Sequence, residues 1–168
     1  AAGTAQVIDR ANDIEAIIRL ARRSFDVVIV DMPRALDTVS LRAFDSADTI
    51  FPVMQLTLPF FRDAKRLLDV FRSLDYPRSK VQFIVNRYEK GGAMSLGDLE
   101  RAIGQPVFRT IPNSYGPVAA SVNLGVPMVK GQRGNAVSKV LLEIARELMP
   151  AEQPAAAGGW FARAFTAR

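Results

Sequence analysis

Polar and apolar positions along the chain alternate between two periods, one helical and one of short unbroken apolar runs. Asn12, with Glu15 three residues on, reads as a capping box. Ile14, Ile17, Ile18, Ala21 and Phe25 then follow helical spacing. An unbroken run, Val27-Val28-Ile29-Val30, predicts a strand over 26–30 buried on both faces, as in parallel sheets. A short helix near 38–46 leads to a second strand over 49–54, which Pro52 interrupts. Pro59 suits the first turn of the next helix, whose stripe is Phe60, Ala64, Leu67, Leu68 and Phe71 and which ends at Tyr76-Pro77. A third strand is expected over 81–85, closed by Asn86-Arg87, and Glu89-Lys90-Gly91-Gly92 reads as a turn.

Ser95 is expected to cap a helix that runs to Ile103 and stops at Gly104. A fourth strand over 107–111 runs into Pro112-Asn113, and a helix over 115–124 stops at Gly125. Asn135 caps a last long helix with the stripe Val137, Val140, Leu141, Ile144 and Leu148. Strands alternating with helices predict an α/β fold: a parallel sheet built from βαβ units with helices packed on both faces, a three-layer arrangement. Beyond Pro150, residues 151–159 are rich in Ala, Gly and Pro and read as a linker, and residues 160–168 form a short tail.

Composition narrows the chemistry. The 168 residues contain no cysteine and no histidine, so thiolate metal sites, His-ligated zinc and His-based acid/base catalysis are excluded. What remains is carboxylates, Lys, Arg, backbone dipoles and metals bound through oxygen. The net charge is +5, and Arg outnumbers Lys 17 to 5, a bias that suits phosphate or carboxylate contacts and equally a GC-rich genome. No apolar run approaches the length of a membrane span and no secretory leader pattern is present, so the body of the chain is expected to be cytoplasmic.

The run at 27–30 ends on Asp31, followed by Met32-Pro33-Arg34. Open α/β sheets bind ligands at the carboxyl ends of their strands, and an acid there is placed to hold hydrated Mg²⁺ against phosphates. An acid in that position equally caps a turn after a core strand. Gly131-Gln132-Arg133-Gly134 precedes a helix but lacks the spacing and the Lys of a phosphate loop, and it reads as a capping loop.

Three strand ends carry polar groups in order: Asp31-Met32-Pro33, Asn86-Arg87 and Ile111-Pro112-Asn113. Together with Ala64-Lys65-Arg66-Leu67-Leu68 and Asn123-Leu124-Gly125-Val126-Pro127, this set resembles the later half of the ParA/MinD superfamily of P-loop ATPases. The likeness is strongest to the pilus-assembly branch, the CpaE/TadZ family of Flp/Tad pilus systems. It covers residues 10–149, and the order and spacing of the motifs carry it.

The resemblance implies a P-loop NTPase fold of the SIMIBI, MinD-like type, with ATP or ADP and Mg²⁺ as cofactors. It implies that Asp31 holds the Mg²⁺ shell through water or polarises a water, and that Pro33 shapes a switch-like turn. Asn86 would hydrogen-bond the adenine edge, Arg87 would lie over or beside the base, and Pro112 and Asn113 would line the base pocket through backbone groups. Read from the residues alone, Asn86 is as well a strand-end cap and Arg87 a solvated charge. The Met32-Pro33-Arg34 turn departs from the small residue and Ala/Gly of MinD-like proteins and fits the pilus branch better.

No Gly-x-x-x-x-Gly-Lys-[Ser/Thr] occurs in the 168 residues. In the family that loop lies upstream of the Asp-x-Pro strand. Residues 1–150 are therefore expected to be the carboxyl-terminal part of an ATPase domain, an incomplete fold inactive by itself. The P-loop strand, the first switch and a receiver-like domain are expected upstream. Without its family neighbour, strand 26–30 would be an apolar edge that pairs with another chain, and a soluble, strictly monomeric species with that edge unpaired contradicts this expectation.

The functional expectation is an ATP-dependent, dimerising ATPase that assembles and positions Flp/Tad pili, with itself and pilus or secretion components as partners. Trp160, Phe161 and Phe165 fall on one helical face beside Arg163, resembling the membrane-targeting tail of MinD-type proteins. That implies weak contact with the inner membrane or a cell pole. Two alternatives stand beside it: a non-catalytic scaffold of the same fold, and a DNA-partitioning ParA. The scattered arrangement of basic residues, interleaved with Asp63, Asp69 and Glu100, argues against DNA.

Overall fold

The structure, a computed structural model of the chain, describes residues 10–34 and 36–149. The expected linker (151–159) and tail, with Trp160, Phe161 and Phe165, lie outside the described residues. The chain divides into two compact units, one ending at Ile50 and one beginning at Phe51.

The first unit is a helix pair. Helix α1 (Arg10–Ser24) packs on α2 (Thr38–Ser46), burying Ile18 against the short side chains Ser40 and Ala43. Small residues on α2 let the helices approach closely, while Asp37 caps α2 by accepting from Ser40 N at 2.8 Å. That bond holds the Asp37 carboxyl below its usual range. Arg22 closes the pair by donating to Ser46 O at 2.7 Å and to Asp48 Oδ1 at 3.0 Å, where orphan carbonyls end α2. Helix α1 starts at Arg10, so Asn12 lies inside it and is not its cap.

The expected strand over 26–30 does not form: residues 25–33 have no regular structure. A strand exists only as one side of a hydrogen-bonded ladder, and among the described residues of this unit no strand stands beside it. The run is not buried either. Val27, Ile29 and Val30 are exposed, Ile29 at 85%.

The second unit is an open α/β layer structure. Strands β1 (Val53–Met54), β2 (Ile84–Tyr88) and β3 (Arg109–Pro112) form a three-stranded parallel sheet in the order β1-β2-β3. Helix α3 (Leu58–Ser73) crosses from β1 to β2, and α4 (Leu96–Ile103) from β2 to β3. Helices α5 (Tyr115–Leu124), α6 (Met128–Gly131) and α7 (Ala136–Leu148) follow. Phe61, Ala64, Leu68 and Phe71 bury one stripe of α3, while Phe83, Ile84, Val85, Leu99 and Ile103 complete the core. Ser95 caps α4 as expected, within a capping box that Asp98 completes, and Gly104 ends it at φ 70°, a backbone conformation natural to glycine.

The strands differ from the sequence reading in extent. β1 shrinks to two residues because Pro52 has no N–H to give, though its carbonyl still accepts from Ile84 N at 3.0 Å. β2 lies three residues later than expected, at 84–88 rather than 81–85, so that Asn86 and Arg87 fall within it. The Gly131-Gln132 turn caps α7, as expected of that loop: Gln132 O accepts from Asn135 N at 3.0 Å and from the buried Ser138 Oγ at 2.8 Å.

Candidate functional site

The carboxyl end of β2 carries a bulge. Val85 pairs with Thr110 and Tyr88 with Pro112, so Asn86 and Arg87 together face the single residue Ile111. Arg87 takes up the extra residue by entering the left-handed region at φ 51°, a conformation that costs a non-glycine residue about 1 kcal/mol. Asn86 supports it: its Oδ1 accepts from Arg87 N at 2.9 Å. Bulges and strained dihedrals gather where a side chain must be re-aimed.

β3 ends beside this bulge. Asn113 N donates to Tyr88 O at 3.2 Å, and Asn113 Nδ2 donates to Glu89 Oε1. Ser114 then begins α5, and Asn135 ties that start to α7: its Oδ1 accepts from Val137 N at 2.9 Å while its Nδ2 donates to Ser114 Oγ at 3.0 Å.

These groups surround a cavity of about 270 Å³. Asn86, Arg87, Asn113 and Ser114 supply its polar lining, and Ile111, Pro112, Tyr115, Val118, Val137 and Leu141 its apolar walls. The volume falls just below the range for whole drug-sized ligands and suits a flat heterocycle with a polar edge. Arg87 makes no ion pair among the described residues, which leaves its guanidinium available to lie over a ring.

The structure thus brings Asn86, Arg87, Pro112 and Asn113 around one cavity. Asp31 and Pro33 lie in the other unit, exposed, in the irregular segment before α2. No group of three or more His, Cys, Asp or Glu side chains that could hold a metal occurs among the described residues. Tyr115, Val118 and Ser114 were not singled out in the sequence, and Val137 and Leu141 read there only as a core stripe. Glu89 read as part of a turn. None carries a local signal, because each reaches the site through the tertiary fold.

A second concavity, of about 240 Å³, lies in the first unit among Glu15, Arg19, Arg22 and Ser46. Its polar groups are already engaged, Arg19 with Glu15 at 2.8 Å and Arg22 with Ser46 O. No helix of the described residues is long and apolar enough to cross a membrane.

No protein-family model matches the chain. Among solved structures, it superposes on a ParA family ATPase from Chlorobium tepidum with a TM-score of 0.75 at 24% identity, covering 81% of this chain and 56% of that one. It superposes on the cell division protein MinD of Aquifex aeolicus with a TM-score of 0.71 at 24% identity, covering 86% and 62%. The chain has the fold of the MinD/ParA P-loop ATPases. In sequence it is 27% identical over 143 residues to the septum site-determining protein MinD of Thermotoga maritima, covering 82% of this chain and 52% of that protein. It is 26% identical over 161 residues to a putative MinD of Nephroselmis olivacea, covering 91% and 58%. The chain thus spans about half the length of the curated relatives it matches. Within the MinD/ParA fold, the bulge cavity lies at the carboxyl ends of parallel strands, where open α/β sheets bind ligands.

Proposed function

We propose that the cavity at the end of β2 takes the adenine base of ATP or ADP, and that the full-length protein is a MinD/ParA-type ATPase serving Flp/Tad pilus assembly. One observation carries the base site: residues picked from separate strand ends in the sequence, Asn86, Arg87, Pro112 and Asn113, line the same cavity. Asn86 offers its free amide hydrogens to the base edge, Arg87 lies over the ring, and Pro112 and Asn113 wall it. Asp31 would supply a carboxylate to hold Mg²⁺, and Pro33 sets the turn after it. The metal would neutralise phosphate charge, and the chain's own residues position the nucleotide.

The finer parts of the reading rest on sequence likeness. Met32-Pro33-Arg34 favours the pilus branch over septum placement, and the superfamily relationship favours a dimer. Trp160, Phe161 and Phe165 favour weak peripheral contact with the inner membrane at a cell pole, which co-sedimentation of tail-truncated protein with anionic vesicles tests. A DNA-partitioning role has less support, since Arg19, Arg22, Arg72, Arg101 and Arg109 are spent in ion pairs.

The deciding experiment measures nucleotide binding and turnover in the full-length protein. Asn86→Ala is expected to weaken ATP and ADP alike by roughly tenfold. Asp31→Ala is expected to abolish turnover while retaining binding. A wild-type protein that neither binds nor hydrolyses ATP would establish the scaffold reading instead.

A further inference from the structure

The two carboxamides on the cavity rim are each held in one orientation by a neighbour that leaves no choice. Asn86 takes the backbone N–H of Arg87 on its oxygen at 2.9 Å, and only an oxygen can accept there. Its Nδ2 is left to give. Asn113 lies against the carboxylate of Glu89, and a carboxylate only accepts, so the group facing it must be the Asn113 NH₂. The Asn113 Oδ1 is left to receive. Neither free group has a protein partner among the described residues. The rim therefore presents one donor, from Asn86, and one acceptor, from Asn113.

That pair matches one purine edge and not the other. Adenine shows an amino donor at position 6 beside the acceptor N7, whereas guanine and hypoxanthine show two acceptors, O6 and N7. An oxygen on Asn113 attracts the 6-amino group and repels a 6-oxo group. If the Asn113 amide turned over, the rim would show two donors and would suit a 6-oxopurine. What prevents the turn is Glu89, which stands outside the cavity lining and touches the site only through Asn113.

We infer that Glu89 is a positioning residue that sets the base selectivity of this site, by locking Asn113 with its oxygen toward a 6-aminopurine. The inference rests on the reading of the cavity as a base site and adds to it the origin of the choice of base. ATP and inosine triphosphate are the right probes, because they carry identical sugar and phosphates and differ at position 6 and the adjoining ring nitrogen. Effects of a charge change on the phosphates then cancel in the ratio of their affinities.

The test is the ratio of ATP to ITP dissociation constants in the full-length protein, for wild type, Glu89→Gln, Glu89→Ala and Glu89→Lys. Wild type is expected to prefer ATP by roughly five- to tenfold. Glu89→Gln keeps an acceptor for the Asn113 NH₂ and should hold most of the preference. Glu89→Ala frees the amide and should bring the ratio near unity. Glu89→Lys offers a donor to the Asn113 oxygen, turns the NH₂ toward the cavity and should reverse the preference. Reversal is the outcome that a loosened fold does not produce. An ATP preference that survives unchanged in both Glu89→Ala and Glu89→Lys overturns the role of Glu89 and leaves the base site standing. Equal wild-type affinity for ATP and ITP overturns edge reading, and no affinity for either overturns the base site itself.

Discussion

Arg87 holds a conformation that its own chemistry disfavours, and the protein loses stability through it. At φ 51° a side chain crowds the backbone, while glycine would not. Arg87→Gly is therefore expected to stabilise the fold by about 0.5–1 kcal/mol in chemical denaturation while weakening nucleotide binding, because the guanidinium goes with the strain. Equal or lower stability in that variant would show that the bulge is relaxed.

Asp98 is the opposite kind of residue, one whose charge the fold favours. The Ser95 hydroxyl, then the Ser95 N–H, then Arg101 hold its carboxyl down to about 2, from an ordinary 3.8. A depressed folded value means that its contribution is complete above pH 3.8 and is lost as pH falls toward 2. The gap in unfolding midpoint between wild type and Asp98→Asn should thus stay constant from neutral pH down to about 4 and narrow below it. A gap that instead varied between pH 5 and 8 would point to another group.

At the scale of elements, helices and strands were unequally legible in the sequence. Helices α4 and α7 begin on Ser95 and Asn135, and α4 and α5 stop at Gly104 and Gly125, because caps and stops are local chemistry written within a few residues. Strand limits are set by partners. The Val27–Val30 run has the right composition and no ladder, while β2 extends through Asn86 and Arg87 because Thr110 and Pro112 stand opposite their neighbours. The bulge itself was not legible, since it is a mismatch of count between two strands distant in sequence.

The candidate site divides along the same line. Asn86, Arg87, Pro112 and Asn113, named through the resemblance, line one cavity, whereas Glu89 and Ser114 carried no signal, since Asn113 and Asn135 reach them from far along the chain. Helix α5 shows what local legibility leaves out. Its limits were plain, yet it buries no residue, and Val122 is 73% exposed. Its amides are expected to exchange with solvent faster than those of α3, which buries Phe61, Ala64, Leu68 and Phe71. Slower exchange in α5 would mean that its exposed face is covered in solution.

Across the whole molecule, apolar surface is distributed unevenly. The first unit exposes Ile17, Leu20, Phe25, Val27, Ile29, Val30 and Leu36 within its short length. Charge placed there should reduce self-association without disturbing any packing. Ile29→Lys is expected to raise the solubility of the chain, and to lower its apparent mass in light scattering, with an unfolding midpoint within about 0.5 kcal/mol of wild type. A large loss of stability would mean that Ile29 is packed.

The shared carboxamide of Asn135 ties two helix starts with one side chain, and such an arrangement ages in a particular way. Asparagine slowly loses ammonia to become aspartate. At position 135 that change would keep the oxygen that α7 needs at its first turn and would even add a charge its dipole welcomes. The same change would delete the N–H that Ser114 Oγ accepts, so the bond would survive by reversing, the Ser114 hydroxyl turning to donate to the new carboxylate. An old molecule would then keep both helix starts tied, now by a charge-assisted bond that runs in the opposite direction.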